Sequence, residues 1–597
     1  MRFQIQSYLR PGAGIFATLL ALSLPACKNE DSPEALLASA RSYEAKGDIK
    51  AAIIQLKNAL QKRPENGEAR LLLGRLSLQA GDPVSAEKEL RKALEYGQTP
   101  DAVLPSLAQA MLEQGQTEKL LAELGDRKLT DPTAFATFLS SIGMAQLQLG
   151  KRAAARASFD AATALAPTLV AAQLGMARTL AAEGKFDEAM QVVDRVIVAN
   201  PNAAEAYGLQ ADLHLIRGDS AGAKALLEKA VAANPALLPA RYALIQVLIN
   251  QEQFDAATAQ LEEARKLRNG DLKASYFEAM IAFGRKDLAK AREAIQVVLK
   301  RAPEHVPTLV LAGAVELQGG QNAAAESYLR KAISLSPQHS GARRLLVRAY
   351  LGSNQPAKAM DSLQPLVSAG NRLDPQMQLL AGETYLANGD LKQASNFFAA
   401  ASDSKQQAPI ARTRLGQIAL ASGNPDAGIK ELESVTGLEG APMQADMALI
   451  VGYVRKNDLD KALAAANAFV KKNPQSPLAQ QVLGAVYAAR KDSVAARAAY
   501  SRAVELNPTY LPAIANLARL DLIDKKPADA RKRFEAVVEK EPKNEMALLG
   551  LAEILTRTGA PANEISATLQ KAVSANPQST NARLALIGFY VRAKDSR

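Results

Sequence analysis

From about Phe135 to Gly370 the small and apolar positions of the chain return at a fixed interval. Ala155, Ala189, Ala223, Ala257, Ala291, Ala325 and Ala359 stand 34 residues apart, and Pro167, Pro201, Pro235, Pro303 and Pro337 run in step twelve residues after them. Two rulers in phase mark an internal repeat. In the unit that opens at Ala136, Gly143 lies on a first helix, Gly150 marks its end, Ala155 and Ala162 face it from a second helix, Phe159 fills the core and Pro167 stops the chain. Helices approach closely only where the contact residues lack bulk, so small residues recur at the eighth, twentieth and twenty-seventh places of the unit. Gly150, Gly184, Gly218 and Gly320 fall where a helix C-terminus takes a left-handed residue, and the prolines fall where a helix cannot continue.

This pattern resembles the tetratricopeptide repeat (TPR), which implies an all-α, superhelical TPR solenoid of helix-turn-helix units. About sixteen units and a final half are expected. The first carries Ala40, Tyr43, Gly47, Ala52, Leu56, Ala59 and Pro64, and the second Gly74, Gly81, Ala86, Leu90 and Ala93. The third, over residues 98–133, is degenerate: Ala108 and Gly115 keep register but Leu120 replaces the small alanine, which predicts looser or offset packing, and the stretch GDRKLTDPTA after it predicts a bend. One residue is gained between Ala359 and Ala394, after which Ala394, Gly428, Ala462, Ala496 and Ala530 resume the step. The organisation expected is a first block at 33–370, a second at 371–579, with joints at Gly370–Pro375 and Ser402–Pro409, and a terminal half-repeat at 580–597. Arg583, Arg592, Lys594, Asp595 and Arg597 would give that half-unit the polar face of a cap; a shortened array is the alternative.

Residues 1–26 stand outside the repeat. Arg2 and Arg10 flank a polar start, an apolar run extends from Gly12 to Leu24, and the segment closes on Leu24-Pro25-Ala26-Cys27. This reads as a secretory signal, its apolar run too short for a comfortable membrane span. The closing tetrapeptide resembles the bacterial lipobox, which implies lipidation of Cys27 and a lipidated linker at 27–32. Cys27 is the only cysteine of the 597 residues, so no disulfide within the chain and no cysteine-based metal site is possible. Lys28 stands where an Asp would imply inner-membrane retention, so the expected location is the outer membrane, facing the periplasm.

Composition adds a basic balance and little reactive chemistry. The formal charge is +11, or about +9 without Arg2 and Arg10, which favours acidic partners. Aromatics are 5% with no Trp, and interleaved aromatics or a recognised motif for nucleic acid are lacking, so no nucleic-acid partner is expected. His214, His305 and His339 are the only histidines and fall in different units, and no HExxH, CxxC, GxSxG or GxxxxGK[ST] constellation occurs. A non-enzyme without metal or cofactor is therefore expected. His214 shares its eleventh place with Tyr43, Tyr350, Tyr385, Tyr453 and Tyr487 and reads as a packing residue, while Glu87, Glu89 and Glu95 read as solvated.

The sharper candidate is the ninth place of the unit, one residue past the small packing position and on the side that lines the inner groove of TPR folds. It holds Arg41, Arg75, Arg178, Arg348 and Arg519. Arginine presents a planar fork suited to carboxylates, so these five are groove-binding candidates for an acidic ligand, an anionic glycan or an acidic peptide segment. Asp212, Glu383 and Glu553 share the place elsewhere, and the alternative is that all are simply soluble groove residues.

A narrower resemblance rests on three features together. They are the lipobox-like signal, the opening passage Leu36 to Leu94 (LLxxARSYxAKGDxxAAIIQLKNALQK and onward), and the degenerate YGQTPDAVLPSLAQAMLEQG of Tyr96 to Gly115. The chain is similar to the TPR-repeat lipoproteins encoded with exosortase and PEP-CTERM exopolysaccharide systems of Gram-negative bacteria. That resemblance implies a periplasmic scaffold whose partners are proteins of polysaccharide biosynthesis, export or surface-protein sorting. The alternatives are an adaptor for a glycan- or peptidoglycan-modifying enzyme, or for outer-membrane assembly.

Overall fold

The computed structural model describes residues 32–592 except 269, 369–372 and 439. The signal at 1–26, Cys27, the linker as far as residue 31, and Lys594, Asp595 and Arg597 of the terminal half-unit lie outside the described residues. Among the described residues there are thirty-three α-helices and no strand. Successive helices pair as antiparallel hairpins, sixteen in all, and Thr580–Arg592 follows as a single helix. The all-α solenoid of helix-turn-helix units is thus what the chain forms. Two compact units divide at Pro303 and Glu304. The first contains the hairpins from Pro33–Ala45 to Leu288–Arg301, and the second those from Val306–Gln318 onward with the final helix.

The small-residue ruler is the seam of each hairpin. Ala155, Ala189, Ala223, Ala257, Ala291, Ala325 and Ala359 are all completely buried. Where the eighth place is glycine, a bulky residue sixteen positions on fills the space: a Cβ built on Gly143 would stand 2.8 Å from the Phe159 ring, and one on Gly313 2.4 Å from Leu329. Missing bulk on one helix and a large side chain on the other are therefore one feature.

The turn inside each hairpin is equally regular. At Gly150, φ is 73°, the Lys151 N–H donates to the Gln146 carbonyl at 2.9 Å and the Gly150 N–H to Leu147 at 3.0 Å, which satisfies the orphan carbonyls of the first helix. The same left-handed position occurs in all sixteen hairpins, but in six it is Glu252, Lys286, Asn354, Asn457, Lys491 or Lys525, with φ between 54° and 64°. A side chain there clashes with the backbone where glycine does not. Lys286→Gly is expected to raise the stability of the first unit by about 0.5–1 kcal/mol, read as a later denaturant midpoint at unchanged slope. An earlier midpoint would show that the left-handed turn is not strained by its side chain.

In the third hairpin the packing is offset, not loose. Leu120 is completely buried, but its helix, Thr117–Leu124, is only 8 residues long. The first helix of that hairpin, Pro100–Glu113, packs more extensively on Pro132–Gln148 of the next hairpin than on its own partner. Polar groups replace the missing seam. Glu87 accepts hydrogen bonds from Arg91 (2.9 Å), Gln114 (2.9 Å), Gln116 (3.0 Å) and Lys119 (3.3 Å). Burial opposes its charge, yet these donors outweigh burial and hold the Glu87 carboxyl below the usual range. The reading of Glu87 and Glu89 as solvated is therefore corrected. Glu87 is 9% exposed, and Glu89 is bonded to Arg70, itself buried and anchored on the Pro64 carbonyl at 2.7 Å. Glu95 is exposed. The bend after the short helix is pinned by Asp101, whose carboxylate accepts from the backbone N–H of Thr130 and of Asp131, each at 2.7 Å.

Candidate binding surface on the inner helices

Contacts between neighbouring hairpins are unequal on the two sides of each stack. In the first unit, first helices touch first helices: Pro100–Glu113 meets Pro132–Gln148, which meets Val170–Ala182, and Ala204–Ile216 and Leu238–Asn250 continue the series. In the second unit Val306–Gln318, Ser340–Gly352 and Pro375–Ala387 form a similar series. Second helices do not pack on one another in this way in either unit. A stack that is closer on one side than the other curves toward the closer side, so the first helices form the concave wall.

The inner helix Ala204–Ile216 turns one stripe to solvent: Glu205, Gly208 and Asp212, and beyond them Leu215 and Ile216, lie three or four residues from one turn to the next as one helix face requires. Asp212 holds the ninth place on this stripe. Arg41, Arg75, Arg348 and Arg519 are exposed and Arg178 is half-buried. Arg41, Arg75 and Arg178 belong to the first unit, Arg348 and Arg519 to the second.

Most of these arginines already have partners, and in the first unit the partner lies 27 residues on, in the first turn of the next inner helix. Arg41 is bonded to Glu68, and Arg75 donates to the Ala102 carbonyl at 2.9 Å. Arg519 donates to Asn516 of its own helix at 3.1 Å, and Arg348 makes no hydrogen bond or ion pair among the described residues. An acidic ligand at Arg41 would have to displace Glu68. The cleft beside it, about 490 Å³, is also lined by Glu34, Glu65 and Arg63, the last donating to Glu34 at 3.1 Å. Sequence reading found the arginines and missed these partners, although a Glu 27 residues after Arg41 and after Arg178 was the signal available.

Arg178 and Asp212 stand as neighbours of opposite charge. They occupy the ninth place of successive inner helices, and among the described residues neither forms a hydrogen bond or ion pair. Loss of water lowers the Arg178 guanidinium's pKa, only partly offset by the charges of Asp212 and Glu205. Loss of water likewise raises the Asp212 carboxyl, offset by Arg178. Further along the wall Tyr276 is pushed up by burial, and Tyr242 stacks on Phe277 at 5.4 Å and donates to Asp271 at 2.8 Å. Asp212 remains exposed and Arg178 half-buried, so both side chains can be reached from solvent.

The histidines serve local structure. His214 bonds the turn residue Asp219 at 2.8 Å, His305 bonds Thr308 at 2.7 Å, and the His339 ring accepts the Ala342 N–H at 3.1 Å as a helix cap. His214 is therefore a turn residue more than a packing one. Among the described residues no group of three or more His, Cys, Asp or Glu side chains is disposed to hold a metal, and no helix is long and apolar enough to cross a membrane.

Family profiles described as tetratricopeptide repeat match residues 43–104, 146–213 and 316–383, then 242–306, 379–442, 447–510 and 517–580, and also 204–237. No curated protein matches the chain. Among solved structures, a chain of the APC/C hetero-tetramer Cut9-Hcn1 is 15% identical, with 82% of this chain and 96% of that chain covered, at a TM-score of 0.43.

Proposed function

Because the chain belongs to the tetratricopeptide-repeat family, we propose that its concave walls hold protein partners and that it is a non-enzymatic scaffold lipoprotein of the periplasm. Tetratricopeptide repeats point to protein partners in general. The observation that carries the reading is the packing of first helix on first helix within each unit, which offers an extended wall, with no group of metal-holding side chains among the described residues. The finer assignment is to exopolysaccharide biosynthesis or export and PEP-CTERM/exosortase-linked surface proteins. It is supported by the Leu36 to Leu94 and Tyr96 to Gly115 passages, and anchoring at the outer membrane by the lone Cys27 at the close of a signal-like segment.

Two measurements test this reading. Cells fed a labelled fatty acid should transfer label to the parent protein and not to Cys27→Ser; equal labelling of both would sink the anchor. A photo-crosslinking residue at Gln246, on an inner helix, should capture polysaccharide-system or exosortase-system proteins, whereas one at Val198, 81% exposed on an outer helix, should not. Capture from Val198 alone would place binding on the other face.

A further inference from the structure

We propose that Arg178 and Asp212 form a bipolar docking point on the inner wall of the first unit for a polypeptide segment extended as polyproline II and bearing one acidic and one basic side chain about three residues apart. The proposal deepens the scaffold reading and rests on it.

The spacing follows from the stack. Equivalent places on packed neighbouring helices lie roughly 8–10 Å apart, and in a chain extended as polyproline II, with three residues per turn and about 3.1 Å per residue, side chains three positions apart share one face at about 9 Å. Charge complementarity sets the chemistry. The guanidinium has five N–H donors and the carboxylate accepts on two oxygens; the two charges attract each other, and Glu205 attracts Arg178, but among the described residues neither group makes a hydrogen bond. A purely acidic segment would meet Asp212 and Glu205, and a purely basic one Arg178, so a segment carrying both charges satisfies the wall where a single-sign ligand does not. No other two neighbouring ninth places offer such a pair: Arg41 is bonded to Glu68, Glu383 to Arg414 at 2.7 Å and Glu553 to Arg557 at 3.0 Å, and Arg348, which makes no hydrogen bond among the described residues, has this occupied Glu383 on the next inner helix.

The surroundings leave a path. Gly208, one turn before Asp212, has nothing within 4 Å of where a Cβ would stand, so a backbone can pass over it. One turn beyond, Leu215 and Ile216 are 38% and 57% exposed and offer apolar contact on the same stripe.

The test uses fluorescence anisotropy with labelled Gly/Ser peptides carrying Glu and Lys three positions apart in either order, with two-Glu, two-Lys and uncharged controls. One mixed order should bind the parent about 10-fold more tightly than any control, the size of one charge-assisted contact. The exchange Arg178→Asp with Asp212→Arg should transfer the preference to the opposite order, an effect that a structural role for either residue would not produce. Arg178→Gln should reduce the mixed peptide to the level of the uncharged one, and it covers the case in which the double variant does not fold. Equal binding of the two-Glu peptide, an unchanged order preference after the exchange, or no peptide bound by the parent would each overturn the proposal. Capture of protein partners from Gln246 would continue in any of these cases if the scaffold reading is right, and would fail if that reading is wrong.

Discussion

Phe159→Ala is expected to destabilise the first unit by about 3–5 kcal/mol, the usual cost of deleting a buried aromatic ring. Phe159 is completely buried on the outer helix Arg152–Leu165, and its ring lies between two glycines of different hairpins. A Cβ on Gly143 of its own hairpin would stand 2.8 Å from the ring, and one on Gly175 of the next hairpin 2.0 Å. The ring therefore belongs both to the hairpin and to the interface between hairpins, and in a solenoid that interface carries cooperativity. Gly175→Ala should also destabilise: the helix gains up to about 1 kcal/mol in propensity, but overpacking against the ring costs about 1–3 kcal/mol. With Phe159→Leu in the background the penalty of Gly175→Ala should shrink, a coupling that urea unfolding of the four variants would measure. A Gly175→Ala protein unfolding later than the parent would mean that the ring is not clamped.

The second large effect is expected at Asp521. Its carboxylate is 2% exposed on the inner helix Leu511–Ile523, where it accepts from Arg497 of the preceding outer helix and Arg533 of the following one, while Arg497 also reaches Asp524 at 2.8 Å. Burial opposes the charge of Asp521, but the hydrogen bonds from Arg533 and Arg497 prevail and hold its carboxyl below the usual range. Replacing both arginines by methionine strands that carboxylate and should cost about 3–5 kcal/mol at neutral pH. Asp521→Leu should cost less, because the guanidiniums, each 30% exposed, can rehydrate. The sign with pH follows from the depressed pKa. The cluster contributes fully above about pH 4, the unfolded value of an aspartate, and its contribution is lost as pH falls through the lower folded value. The gap between parent and the double methionine variant should therefore narrow from pH 7 toward pH 3, read by hydrogen exchange of the Leu511–Ile523 amides. A constant gap would remove Asp521 as its cause.

Asp521 also shows where sequence reading stops. It holds the eleventh place, which Tyr43, Tyr350, Tyr385, Tyr453 and Tyr487 occupy elsewhere. Periodicity identifies the place as inward-facing, but a carboxylate there is intelligible only once arginines of two other helices are seen to converge on it. Glu87 is similar: on its own helix it looks like one more surface charge, and its donors come from residues up to 32 positions away. Of the candidate site, the five arginines were legible as residues on one stripe, while their existing partners were not.

The sequence by itself determined the length of the repeat, the pairing of its helices, the buried seam of small residues and the left-handed turn. Each of these depends on steric fit among residues within one unit, and such fit is written in residue size and spacing. Tertiary structure decided which side of the stack is concave, which charges are hydrogen-bonded, and which neighbouring pair on the wall is not. Curvature is the sum of small rotations between hairpins, and a charge finds its counterpart by proximity across hairpins, so neither quantity is carried by any single stretch of the chain.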